Sequence, residues 1–310
     1  MTTALITHAA CLDHDMGPYH PECPDRLRVV LTALEAEEFA PLLREQAPEA
    51  TIEQLTRVHP LNYVEGILAI RPDLGELVPL DGDTSMGEGS AEAALRAAGG
   101  AIMAVDAVME GWARTAFAAV RPPGHHAEPE RPMGFCFFSN AAVAAMHARA
   151  RWGLQRVAVV DFDVHHGNGT QAVFESDPGL FYASSHQHPC YPGTGRASEH
   201  GVAHNIVNTP LRAGDGSAAF RAAWGDIIIP ALDAFAPELL IISAGFDAHR
   251  DDPLAQLRVE TADYAWLTDR LMDVADRHCG GRVASLLEGG YDLNALAASA
   301  AVHVRALMRA

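Results

Sequence analysis

Lysine is missing from this chain of 310 residues: all 22 basic residues are arginines, set against 40 acidic ones. A formal net charge of -18 is repelled by a phosphate backbone, which argues against direct binding of nucleic acid, and it would draw in a cationic ligand. Cysteine is sparse as well. The five thiols (Cys11, Cys23, Cys136, Cys190, Cys279) are odd in number, scattered and without a C-x-x-C pair, so neither a disulfide framework nor a zinc ribbon is expected. A reducing, cytoplasmic compartment fits that usage. No apolar run is long enough to span a bilayer, so no membrane partner is expected. The opening MTTALITHAACLDHD has no positive n-region and meets His and Asp early, unlike a secretory signal. Ser-rich linkers, charge blocks and internal repeats are also absent, and residues 1–310 are read as a single domain.

What the chain does have is 49% hydrophobic residues, enough to bury one large core. Short Val/Ile/Ala-rich runs alternate with longer helical patterns, which predicts an α/β fold with a central, mostly parallel sheet flanked by helices. The predicted strands are ALITH, TAFAAV (115–120), RVAVVDFDV (156–164), LFYASS (180–185), AHNIVNTPL (203–211), ELLIISAGF (238–246) and RVASLLEGG (282–290). The clearest helical stretches are 25–38, 90–110, 139–150, 217–235, 261–279 and 292–309. Four of the strands run directly into RPPGHHA, DFDVHHGNGT, SAGFDAH and EGGYDL. In an open α/β sheet ligands bind outside the carboxyl ends of the strands. The chemistry-bearing residues fall there.

Asp161, Asp163 and His165 are spaced by two, which on a strand turns them to one face. With Asp247 at the end of its own strand they offer two carboxylates and an imidazole, the donor set of an open catalytic metal site rather than a closed structural one. The Arg121-Pro122-Pro123-Gly124 turn fixes where His125 and His126 emerge, and Asp161 and Asn168 are available to set their tautomers. After Gly289-Gly290 the backbone can approach closely, so Tyr291 could donate to a developing oxyanion. Singly, each motif is also an ordinary loop. It is their combination that points to metal-assisted hydrolysis.

RPPGHHA, GFCFFSNAA, DFDVHHGNGT, YPGTG, SAGFDAH and EGGYDL, in this order, resemble the histone deacetylase family, and with HPECPDRL (20–27) the likeness spans nearly the whole chain. Asn168, where many members have Asp, and HPECPDRL look closer to the class II and bacterial deacetylase-like amidohydrolases. The resemblance implies an arginase/deacetylase-like fold, with zinc on Asp163, His165 and Asp247. It implies His126 as general base and then acid, His125 with Asp161 as electrostatic support, Asn168 orienting His126, and Tyr291 as oxyanion donor. It further implies a narrow substrate channel at Gly134, Phe135, Tyr191 and Leu254, and potassium at an inner set (Asp161, Asp163, His165, Ser184, Ser185) and an outer set (Phe174, Asp177, Leu180, Asn205).

The expected substrate is an acyl-lysine-like amide, the alternative an acetylated polyamine. Leu254 falls where polyamine-selective relatives carry a Glu gatekeeper, which favours the former. Asp83, on the rim loop LDGDTSMGEGS, is a candidate for binding a substrate N–H or a cation. A two-manganese ureohydrolase would need further carboxylates, which His166 and Asn168 do not supply. A binding module that leaves acyl ligands uncleaved would not need Tyr291 and the His pair. A homo-oligomer is compatible with the chain.

Overall fold

The computed structural model describes residues 2–309, so Met1 and Ala310, the outermost residues of the expected single unit, lie outside the described residues. Its strands are β1 (Thr3–Thr7), β2 (Leu43–Gln46), β3 (Val78–Pro79), β4 (Ser85–Met86), β5 (Thr115–Ala118), β6 (Val157–Asp161), β7 (Leu180–Gln187), β8 (Ile206–Leu211), β9 (Leu239–Ala244) and β10 (Val283–Leu287). Eight of them form one sheet in the order β2-β1-β5-β10-β9-β6-β7-β8, every neighbouring pair parallel. β5, β6, β9 and β10 are buried at every residue, which is why they read as unbroken apolar runs rather than alternating ones. β3 and β4 make a small antiparallel hairpin whose tip carries Asp83.

The helices are α1 (Pro24–Ala33), α2 (Ile52–Leu55), α3 (Leu61–Ala69), α4 (Ser90–Glu110), α5 (Asn140–Trp152), α6 (Asn168–Phe174), α7 (Ser217–Ala222), α8 (Ile229–Phe235), α9 (Thr261–His278) and α10 (Leu293–Arg309). α4 and α5 pack together on one face of the sheet, while α9 and α10, joined by α1 and α8, cover the other. The α/β expectation holds.

Several element bounds differ from expectation for local reasons. The helix expected over 25–38 stops at Ala33, ahead of Glu35, Glu37 and Glu38, whose charges oppose the negative end of a helix. The one expected over 217–235 is interrupted by a π-helical turn at Ala223–Ile228, because Pro230 offers no N–H for the regular ladder. The strand expected over 156–164 ends at Asp161. Asp163 and His165 therefore lie in the following loop, and strand alternation does not place them. Edge strand β2 was not foreseen: its four residues, LREQ, are all exposed and show no apolar alternation.

Candidate active site

β5, β10, β9 and β6 are consecutive in the sheet, so the four motif-bearing loops leave it side by side. After β6 and β9, Asp163, His165 and Asp247 present ligand atoms all within 4.8 Å of one another, and all three residues are buried. The Nδ1 of His165 stands 3.1 Å from Asp163 Oδ1 and 3.1 Å from Asp247 Oδ2. Burial and the charge of Asp163 push the Asp247 carboxyl up to about 7, while the histidines around Asp163 overcome burial and hold its carboxyl low. Crowding two carboxylates in a buried space is costly unless a cation joins them, and this donor set can hold one metal ion. A Cβ at Gly289 would collide with both carboxylates. Glycine there lets the β10 loop close over them, and its N–H donates to Asp163 Oδ2 at 2.8 Å.

The two histidines after β5 have opposite environments. Nδ1 of His125 lies 2.9 Å from Asp161 Oδ2, and although burial opposes a charge, Asp163 and Asp161 hold its pKa up at about 10. His126 is depressed well below the usual imidazole value by burial and by repulsion from His125 and His165. Its tautomer follows from the neighbours. Asn168 Nδ2 donates to Glu128 Oε1 at 2.8 Å, so the Oδ1 of Asn168 faces His126 Nδ1 at 2.8 Å and must accept from it. The Nε2 of His126 is left with its lone pair. A neutral imidazole with that nitrogen free is a base.

A cavity of about 220 Å³ is lined by His126, His165 and Tyr291 together with Asp83, Gly134, Phe135, Tyr191 and Leu254. All five expected channel residues thus line the space onto which His126 and His165 face. Tyr191 meets His126 edge-on at 5.0 Å, and Phe135 meets Tyr291 at 5.9 Å. Gly134 has a φ of 56°, and a Cβ there would strike the His126 ring. Phe135 itself holds a φ of 69°, unusual for a bulky residue; its N–H donates to Thr84 Oγ1, which donates to Asp83 Oδ1. The rim and the wall are therefore tied together.

The structure adds residues that the motifs did not single out. Arg26 of α1 donates to the carbonyls of Gly290 (2.6 Å) and Glu288 (2.5 Å), and its guanidinium stacks 4.7 Å from the Tyr291 ring. Glu22 grips both Arg26 and Arg121, all three fully buried. Glu288 accepts the N–H groups of Gly124 and His125, fastening the Pro-Pro-Gly turn to β10. Asp252 accepts from the N–H of Tyr291 at 2.7 Å and from that of Leu254 at 3.0 Å. Tyr182 donates to Asp161 Oδ2 at 3.1 Å. HPECPDRL was the available signal for Glu22 and Arg26; the partners of the others lie far away in the chain.

Of the residues expected for an inner potassium site, Asp161 and Ser184 are register partners on β6 and β7, Asp163 and His165 follow Asp161, and Ser185 Oγ accepts from Trp224 of the π turn. The expected outer set also comes together, around a different centre: Asn205 Nδ2 lies 2.9, 3.0 and 2.8 Å from the carbonyls of Phe174, Asp177 and Leu180. His166 bonds Thr194 and Gln171.

Comparison with known proteins places this geometry. The sequence profile described as Histone deacetylase domain matches residues 20–307. The chain is 40% identical to Histone deacetylase 14, chloroplastic, of Arabidopsis thaliana over 98% of this chain and 76% of the relative. It is 39% identical to the Histone deacetylase-like amidohydrolase of Pseudomonas aeruginosa (93% and 81%) and 37% identical to a Probable deacetylase of Archaeoglobus fulgidus (94% and 82%). The crystal structure of an HDA15 HD domain superposes with a TM-score of 0.93 at 39% identity, covering 99% of this chain and 88% of that one.

Proposed function

The chain belongs to the histone deacetylase family, and from that membership we propose that it is a zinc-dependent amidohydrolase releasing acetyl or other acyl groups from acyl-lysine-like amides. The observation that carries the reading is one cavity lined at once by a base, a ligand of the metal triad and a tyrosine. Zinc on Asp163, His165 and Asp247 would supply Lewis acidity, acidifying a water and polarising the acyl carbonyl.

The rest is done by the chain. His126, neutral and with Nε2 free, takes a proton from the attacking water as oxygen adds to the carbonyl carbon; it returns that proton to nitrogen as the C–N bond breaks. His125, held protonated by Asp161 and Asp163, keeps positive charge beside the site without competing for that proton. Burial raises the Tyr291 hydroxyl well above its ordinary pKa, so it stays a donor to the oxyanion. Phe135 and Tyr191 line the methylene chain of the substrate, and Asp83 at the rim meets an N–H or a cation. A monovalent cation at Asp161, Asp163, His165, Ser184 and Ser185 would brace the β6 and β7 loops. The five unpaired thiols suit a cytoplasmic setting.

The test is zinc-loaded protein on an acetyl-lysine coumarin peptide, with Tyr291→Phe as control. We expect turnover that a hydroxamate blocks and that the variant lowers by about 10²–10³. An inactive zinc-loaded wild type overturns the proposal. Leu254 in the wall, rather than a carboxylate, favours the peptide over acetylputrescine or acetylspermidine. A higher kcat/KM for the polyamines would reverse the substrate assignment while leaving the hydrolase intact.

A further inference from the structure

The carbonyls of Phe174, Asp177 and Leu180 form a staircase: Asp177 N–H donates to Phe174 O and Leu180 N–H to Asp177 O, both at 3.1 Å. Phe174 ends α6 and Leu180 begins β7. After those turn bonds the first two oxygens each retain a lone pair, and together with the Leu180 oxygen they converge on one point. Three converging carbonyl oxygens are mutually repulsive and suit a positive centre. The occupant of that point is Asn205 Nδ2.

Two further observations show that the amide is held there by design of the loop. The Ala203 N–H donates to Asn205 Oδ1 at 3.2 Å, which fixes which end of the amide faces the carbonyls. Gly201, at a φ of 64°, leaves no room for a side chain: a Cβ would stand 2.5 Å from Asn205 Oδ1. The main-chain carbonyl of Asn205 accepts from Tyr182 N–H at 2.9 Å, which ties the residue's backbone to β7 while its side chain fills the cage. An amide NH2 has two hydrogens for three acceptors, so it is partially positive, similar in size to a bare monovalent cation and slightly under-supplied with protons for the cage.

We propose that Asn205 is a built-in substitute for the outer cation: its amide closes the carbonyl cage, and this protein takes no monovalent ion there. The four residues expected to hold the outer potassium do not fit it as they stand. Any monovalent-ion dependence of the protein then comes from elsewhere, and α6, the helix that carries Asn168, is fastened to β7 without regard to the salt outside. This inference does not rest on the reaction assigned above.

The test is crystallographic. Crystals of the zinc-loaded wild type and of Asn205→Gly are soaked in rubidium salt in place of potassium, and anomalous density is sought among the three carbonyls. We expect none in the wild type, with the Asn205 amide in place, and a peak in the variant. A rubidium ion in the wild-type cage with the side chain swung away overturns the proposal. If the variant does not crystallise, Asn205→Ala is melted in potassium and in N-methylglucamine chloride. A larger rise of Tm with potassium than the wild type shows supports the substitution, and an equal rise refutes it.

Discussion

At the scale of single residues, the pair Asn168 and Glu128 sets the tautomer and charge surroundings of the His126 imidazole. Asn168 orients the ring without a charge of its own, and Glu128, one hydrogen bond further out, holds the amide rather than the imidazole. Replacing Asn168 by Asp would set a carboxylate 2.8 Å from the imidazole. The charged form of His126 would gain, so its pKa would rise and the acid limb of kcat/KM would move to higher pH by about one unit. The same carboxylate would face Glu128, so Asn168→Asp should also be less stable, and Asn168→Asp with Glu128→Gln should recover stability while keeping the shifted limb. A pH profile that does not move would show that Asn168 leaves the basicity of His126 untouched.

Between elements, the site hangs on α1 as much as on the strands. Glu22 binds Arg121 ahead of the His pair and Arg26 beneath Tyr291, so one buried carboxylate connects the β5 loop to the β10 loop. Glu22→Gln would leave two buried guanidinium groups short of their counter-charge, a loss on the order of 3–5 kcal/mol read from the urea midpoint. Glu38→Gln, whose partner Arg305 sits at the surface, should leave that midpoint where it was. Equal effects from the two changes would mean that the buried cluster does not brace the fold. The strand-end motifs were legible because each carries its chemistry within a few residues of an apolar run. The clamp was not, since Glu22 and Arg121 are 99 residues apart and Arg26 reaches the Gly290 carbonyl across 264. Asp163 and His165 were correctly grouped for a reason that fails: the loop after Asp161, tied by Asp163 N–H to Asp161 Oδ1 at 3.0 Å, sets their direction.

For the molecule as a whole, the buried histidines set its response to acid. Burial lowers His59 and His166 to about 4, and His186 and His303 to about 3. Below 6.5 the unfolded chain takes up protons that these four refuse in the folded state, so their contribution is complete above 6.5 and is lost as pH falls toward 4, at about 1.4 kcal/mol per pH unit for each. In metal-free protein Asp247 and Glu288, each raised to about 7, run the other way over much of that range and offset roughly half. His14 and His126, lowered, are matched in number by Asp161 and Asp252, raised. His125 does not enter, because its contribution is lost only as pH rises through about 10. The urea midpoint should therefore fall steadily between pH 6.5 and 4; a flat profile would contradict the buried neutral imidazoles. The parallel sheet itself was legible from its apolar runs. Its strand order was not, because contacts between strands leave no trace in local pattern.

That order has a consequence for how the protein is made. β10 is the last strand among the described residues yet lies between β5 and β9, joining β2-β1-β5 to β9-β6-β7-β8. Until it has left the ribosome, the His pair belongs to one half of the sheet and Asp163, His165 and Asp247 to the other, with neither Glu288 nor Tyr291 between them. The two halves of the site are then joined in a single step when β10 inserts, and a chain cut short before Glu288 leaves them apart.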